Sequence, residues 1–359
     1  MKLFIIGGSN LGPYHFSRYR ALVRHFPELV YVQLPGKVVF RPWSSDLGQL
    51  PCRILSLEEG EDIVGLLEHE SPDIVLTVGY SRWPLFRAAY WAKRLRVPCC
   101  LHCESTMDDR PRLWWKEAAK KLLVKNSYDA AFAAGERSAR YAEHLGMPKH
   151  RIWRGIYAVD NEHFWSSREK WQGPEGFPSK FFLTVARLSP EKNLGRLLKA
   201  FFSYCERGGK WGLVIAGAGP EEERLKAGVP EDMKRYVHWY GWASYNELPS
   251  LYHGASCFII PSISEPWGLV VNEAMAAGLP VLVSRQCGCL PELCDSGVNG
   301  YDFDPYNAGQ LSELMHKISS REANTAAMGK ESRLIIDRYT VDRWATTLAD
   351  MARALVTKK

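Results

Sequence analysis

The chain lacks any apolar run near the roughly 20 residues that would span a bilayer, so no membrane-crossing helix is expected. No export signal is expected either. The apolar part of MKLFIIGGSN is too short for one and reads as a first buried strand. A paired set of cysteines is missing, because the nine present are odd in number and scattered over both halves. They read as reduced thiols rather than a disulfide framework, and a cytoplasmic location is the default expectation. Short repeats and low-complexity tracts are absent. A dinucleotide fingerprint is absent too. The first glycine loop, GGSNLGPYHF, places Gly7, Gly8 and Gly12 in a spacing that is not G-x-G-x-x-G, which argues against an NAD-dependent dehydrogenase. The charge excess is small, at +6, and fits phosphate-bearing substrates or an anionic membrane face. No nucleic-acid partner is expected.

What is present is the composition of a soluble globular protein, 46% hydrophobic and 24% charged, over 359 residues, enough for two domains. Short apolar runs alternate with amphipathic stretches. KLFIIGG, PDIVLTVG, VPCCLHC and YDAAFAAG read as buried strands in the first half; KFFLTVAR, WGLVIAGAG, VHWYGW, ASCFIIPS and LPVLVS do so in the second. Helical patterns fill the intervals. The pattern predicts an α/β protein with a doubly wound parallel sheet in each half. Boundaries are expected at 1–165, 166–340 and 341–359, the last a single amphipathic helix that packs back on the first domain. The Pro-, Gly- and Ser-rich stretch SSREKWQGPEGFPSK serves as the linker. Two such domains facing a central cleft would bring the C-terminal strand ends of both sheets to it.

Two stretches of the second half carry chemistry. In SEPWGLVVNEAMAAG a strand ends, a loop carries Glu265, and Gly268 opens a helix at Leu269 and Val270. Unpaired N–H groups at a helix start suit a phosphate, and Gly268 allows close backbone approach. Glu273 lies one turn on, placed for a diol. The plain alternative is an ordinary strand–loop–helix whose acids favour the helix dipole. In FFLTVARLSPEKN a strand ends at Arg187, and a turn leads to Lys192. Both cations suit a departing diphosphate, although a solvated basic pair at a strand end is common.

The order R-L-S-P-E-K-N, then G-A-G-P, then two glutamates separated by seven residues resembles the retaining GT-B glycosyltransferases of the family-four, or group 1, type. The resemblance is strong from Phe181 to Tyr306 and weaker before. It implies two Rossmann-like domains and sugar transfer from a nucleotide diphosphate sugar, with UDP or GDP as carrier, to a hydroxyl of a glycan, lipid-linked or small-molecule acceptor. It implies that Arg187 and Lys192 bind the diphosphate, Glu265 the donor sugar, Glu273 the ribose, and the amides near Gly268, Leu269 and Val270 the phosphate or sugar. The turn that contains Trp242 falls where the base rests. Gly8 and Gly12 correspond to a glycine loop near the donor phosphate, and His102 to a histidine beside the transferred sugar. No D-x-D motif is read near the donor site, so no metal or further cofactor is expected, and front-face attack is the expected retaining mechanism. The cluster Cys99, Cys100, His102 and Cys103 is not read as a metal site, since neighbours on a strand point to opposite faces. Residues 110–125 form a basic helix with Trp114 and Trp115 near its start, a candidate for peripheral contact with the inner membrane face or simply a solvated surface. The rival readings are an epimerase or hydrolase on the same fold and a non-catalytic nucleotide-sugar-binding protein.

Overall fold

Short strands of three to five residues, most of them too apolar to face water, form two parallel sheets with helices between them. The computed structural model describes residues 1–9, 11–36, 50–58, 60–166, 173, 176–320 and 324–357. They form two units, Met1–Val159 with Tyr339–Lys359, and Asp160–Arg338. Most of the stretch expected to be the linker, namely 167–172 and 174–175, lies outside the described residues.

The first unit runs β1 (Leu3–Gly7), α1 (Pro13–Leu22), β2 (Val30–Gln33), β3 (Arg53–Ser56), α2 (Ile63–Glu70), β4 (Ile74–Val78), α3 (Trp83–Leu95), β5 (Cys99–Cys103), α4 (Trp114–Ser127), β6 (Ala130–Ala133), α5 (Glu136–His144) and β7 (Ile152–Arg154). Its seven strands are ordered β3-β2-β1-β4-β5-β6-β7. All pairings are parallel; Phe4, for example, lies opposite both Val30 and Val75. The four long apolar runs became β1, β4, β5 and β6. The pattern reading missed β2, β3 and β7. β3 is an outer strand with mostly exposed side chains, and β7 has three residues, so neither forms the apolar run that marks a buried strand.

The second unit runs α6 (Asn161–Ser166), β8 (Phe181–Val185), α7 (Leu194–Glu206), β9 (Gly212–Ala216), α8 (Glu222–Ala227), β10 (Val237–Gly241), α9 (Leu248–Gly254), β11 (Cys257–Ile260), α10 (Leu269–Ala276), β12 (Val281–Ser284), β13 (Gly300–Phe303), α11 (Ala308–Ser319) and α12 (Thr325–Ile336). Its six strands are ordered β10-β9-β8-β11-β12-β13. Here β13 was missed, because its sequence GYDF is half polar. Helix α7 shows the design of the covering layer. Leu194, Leu197, Leu198, Phe201 and Tyr204 recur at helical spacing, and all are buried.

The last helix, α13 (Val341–Val356), belongs to the first unit. Thr340 caps it by accepting from the Arg343 N–H at 3.2 Å. Its Trp344 is buried, edge-on to Phe132 with ring centres 5.4 Å apart. In both sheets the strand order reverses direction next to the first strand, between β1 and β4 and between β8 and β11. In open sheets of this kind, ligands bind outside the C-terminal strand ends at that reversal.

Candidate functional site

At the β8/β11 reversal, three strand ends are tied together by one buried side chain. Asn193 sits in the left-handed region (φ 57°) after a 3-10 turn at Pro190–Lys192. Its amide donates to the carbonyls of Pro261 at 3.0 Å and Pro305 at 2.8 Å, which follow β11 and β13. The Ile263 N–H donates to the Glu191 carbonyl at 2.9 Å, fixing the turn after β8 against the loop after β11. This arrangement delivers Lys192 to Glu265, and their side chains form a mostly buried ion pair.

The loop bearing Glu265 is braced from its other side. Gly288 and Cys289 donate backbone N–H groups to the carbonyls of Glu265 and Trp267, at 2.9 and 3.1 Å. Gly268 then caps α10 with φ 104°, a conformation that favours glycine. Leu269 and Val270 form the first turn, whose N–H groups have no intrahelical acceptor by helix geometry.

Other expected site residues lie nearby with different surroundings. Arg187 follows β8, is exposed and forms no ion pair among the described residues. Burial raises the neighbouring Glu191 carboxyl, but a hydrogen bond from Ser189 and the charges of Lys192 and Arg187 bring it below its ordinary range. Trp242 follows β10 and is 42% exposed. Glu273 is fully buried, and its Oε2 accepts from the Tyr252 hydroxyl at 2.6 Å. The diol contact expected of Glu273 is therefore not open to solvent in this structure.

A D-x-D triplet occurs after all, as Asp302-Phe303-Asp304 at the end of β13. It is built into the loop. Asp302 accepts from Arg285 Nε at 2.6 Å and from the Ser296 hydroxyl. Asp304 accepts from the Tyr306 N–H at 2.9 Å, and Phe303 between them is buried.

In the first unit, Gly8 and His102 line a cavity of about 230 Å³ at the β1/β4 reversal. Gly12 instead caps α1, where its N–H donates to His15 Nδ1 at 3.1 Å. His102 is buried. Burial pushes its pKa down to about 4, so the ring is neutral at neutral pH. Its Nδ1 lies 3.7 Å from a Glu104 carboxylate oxygen, and its Nε2 has no hydrogen-bond partner among the described residues. The cavity also includes Arg18, Arg82, Glu104 and Tyr157, which the sequence reading missed. Arg18 lies on α1 in a run, YHFSRYR, whose apolar periodicity is too weak to show which polar residue is buried. On the same strand as His102, Cys99, Cys100 and Cys103 are buried free thiols, and burial pushes Cys103 up to about 12.

Helix α4 presents a mixed face. Glu117 points inward to Lys120, Arg112 and the Tyr141 hydroxyl. Trp114 is 82% and Trp115 54% exposed, beside exposed Lys116, Lys121, Leu122 and Lys125. Among the described residues, no helix is long and apolar enough to cross a membrane.

Residues 167–334, nearly the whole second unit, match the family model of glycosyl transferases group 1. The chain resembles the group 1 glycosyl transferases. An uncharacterized glycosyltransferase of Methanocaldococcus jannaschii is 36% identical over 142 residues, covering 39% of this chain and 36% of that protein. The amylovoran biosynthesis glycosyltransferase AmsK of Erwinia amylovora is 29% identical over 162 residues, 43% of this chain and 40% of its own. The match thus spans about two fifths of the length of these relatives. Solved structures extend the likeness over both units. Anabaena HepE in complex with UDP gives a TM-score of 0.80 at 15% identity, covering 99% of this chain and 100% of that one. Sucrose-phosphate synthase from Thermosynechococcus elongatus gives 0.74 at 15%, covering 100% of both. At that identity the likeness establishes the fold, which is GT-B.

Proposed function

We propose that the chain is a glycosyltransferase that moves a sugar from a nucleotide diphosphate sugar to a hydroxyl acceptor. The observation that carries this reading is the Lys192–Glu265 pair beside the start of α10, at the reversal of the second sheet. Free of ligand, the two charges neutralise each other. A donor would divide them: the diphosphate takes Lys192 and the first-turn amides, and the sugar hydroxyls take Glu265. Arg187, already exposed, adds a planar fork of donors for the phosphates. UDP and GDP are the carriers of choice, and the UDP complex of HepE, which shares the fold, makes uridine the first probe.

The same groups account for catalysis without a metal or further cofactor. As the bond from the anomeric carbon to the phosphate oxygen breaks, negative charge grows on the diphosphate, where two cations and a helix N-terminus stabilise it. The acceptor oxygen forms its bond on the same face, giving retention. Its proton passes to the departing phosphate oxygen, so Glu265 need not act as nucleophile. Glu273 reaches the ribose only once its carboxylate is uncovered. The first unit takes the acceptor, with His102 contributing a neutral imidazole. The exposed tryptophans and lysines of α4 fit peripheral contact with an anionic inner membrane face, consistent with a cytoplasmic enzyme.

A thermal-shift screen against UDP, GDP, ADP and their sugars tests the reading. One nucleotide at 100 times its Kd would stabilise the fold by about 2.7 kcal/mol. The matching donor sugar should then be turned over in EDTA, with the anomeric configuration kept. If no nucleotide shifts the transition, the reading fails; donor binding without transfer to any acceptor would make this a binding protein instead.

A further inference from the structure

We propose that the cavity of the first unit binds a small hydroxylated oxyanion, a phosphorylated or carboxylated sugar, with Arg18 holding the anionic group. That this ligand is the acceptor rests on the glycosyltransferase reading; that the cavity binds it does not.

Arg18 is the anomaly that points there. It is 4% exposed and lines the cavity. Its Nε donates to the Tyr14 carbonyl at 2.9 Å, and it hydrogen-bonds Tyr157. Its guanidinium lies 4.5 Å from the centre of the Tyr157 ring and 5.4 Å from that of Trp344. Among the described residues it has no carboxylate within ion-pair reach. The other buried formal charges of this unit are all matched: Glu70 by Lys2 and Arg53, Asp109 by Arg112, and Glu117 by Arg112 and Lys120. Aromatic faces offset only part of the cost of taking a guanidinium out of water. Glu104, the carboxylate of the cavity, accepts from the Tyr157 hydroxyl instead. Among the described residues, then, no countercharge meets Arg18, and we assign that place to a ligand.

The rest of the lining specifies a hydroxylated partner. His102 lines the cavity, is 93% removed from solvent, and has an Nε2 without a hydrogen-bond partner among the described residues. With Nδ1 toward Glu104, the proton belongs on Nδ1, which leaves Nε2 as an acceptor for a sugar hydroxyl. His15 has the complementary tautomer. Its Nδ1 accepts from Gly12, so its Nε2 carries the proton. Arg82 adds a second positive charge, held by the Pro35 carbonyl. Gly8 leaves the backbone bare, since a side-chain carbon there would meet none of the described residues within 4 Å. About 230 Å³ corresponds to about seven or eight water volumes, room for one sugar-sized ligand.

The test is calorimetric titration of the full chain with glucose 6-phosphate, glucuronate and glucose, with UDP saturating so that a diphosphate site is filled. An anionic sugar should bind at least tenfold more tightly than glucose, and inorganic phosphate should compete with it. Whether the phosphate or the carboxylate binds better identifies the oxyanion. Arg18→Gln should lose tenfold or more, Arg18→Lys should keep part of the affinity, and Lys192→Ala should keep all of it. Equal binding of glucose and its anionic forms overturns the proposal. So does no competition by phosphate in the wild type, a result that needs no folded Arg18 variant, and so does an equal loss in Lys192→Ala. UDP binding without anionic-sugar binding sinks this proposal and leaves the donor site standing. Anionic-sugar binding without any nucleotide binding does the reverse.

Discussion

At the β8/β11 edge a cation meets its carboxylate: Lys192 and Glu265 are paired before any ligand arrives. At the corresponding β1/β4 edge a buried cation meets none among the described residues, and Arg18 lies against the rings of Tyr157 and Trp344. Over six strands both sheets share one order, the first adding β7 at its edge, so topology at the reversal does not explain the difference. A paired edge is stable when empty and must exchange partners to bind. An unpaired edge holds its charge in place at a cost to stability and gains when an anion enters. The first arrangement suits a ligand that carries both anion and hydroxyls to divide between the pair. The second suits a ligand whose anion is its anchor.

The sharpest way to break this comparison is to split the pair. Lys192→Ala should lower transfer by about 100-fold to 1000-fold, the scale for removing one group that stabilises developing negative charge, and should weaken nucleotide binding as well. Glu265→Gln should lower transfer as severely while leaving UDP binding intact or tighter, because Lys192 is then released to the phosphates. Titration with UDP beside steady-state kinetics separates the two. If Glu265→Gln weakened UDP binding as much as Lys192→Ala, the division of the pair between phosphate and sugar would be wrong.

That pair was legible because its parts lie in two continuous stretches with recognisable spacing, Arg187 to Asn193 and Glu265 to Glu273. The first unit offered no such run. Its cavity takes Gly8, Arg18, Arg82, His102, Tyr157 and Trp344 from separate elements. Only Gly8 and His102 stood where a strand end could be read. A buried arginine on a helix looks, in sequence, like any polar position. Similarly, β1, β4 and β8 to β12 announced themselves as apolar runs, whereas β3 and β13 did not, since a strand's place in a sheet depends on pairing that composition does not record. The burial of Glu273 was hidden for the same reason. Its spacing from Glu265 is local, but the Tyr252 hydroxyl that engages it comes from α9.

The next effect is on stability and sharpens the first edge. His102 is held neutral, its pKa pushed down to about 4 by burial against about 6.5 in the unfolded chain. Between those values the unfolded state binds more protons, so stability rises with pH. It is fully present above pH 6.5 and falls as the pH drops toward 4, by up to about 3 kcal/mol. Denaturant unfolding from pH 7 to pH 4.5 should show this slope, and His102→Asn should flatten it. An unchanged slope in the variant would mean that the ring is protonated in the folded protein.

A smaller effect separates the glycines of the two edges. Gly268 has a left-handed backbone, so Gly268→Ala should cost about 1–2 kcal/mol. At Gly7 the constraint is space: an added carbon would collide with the Tyr31 hydroxyl oxygen. Chemical denaturation of Gly268→Ala should show the loss with little change in the slope of unfolding free energy against denaturant.

Gly8 differs from both, and its expected stability effect is the smallest. A methyl there meets none of the described residues within 4 Å, so Gly8→Ala should change stability by no more than about 0.5 kcal/mol. Yet Gly8 lines the same cavity as Arg18. If a sugar-sized anion lies against that backbone, the methyl occupies space the ligand needs, and anionic-sugar affinity should fall severalfold while the melting temperature stays put. A strand–helix turn that needed glycine for its own geometry would behave in the opposite way, losing stability first and affinity only as a consequence. Measuring both on one sample therefore decides whether the bare backbone at the end of β1 serves the fold or the ligand.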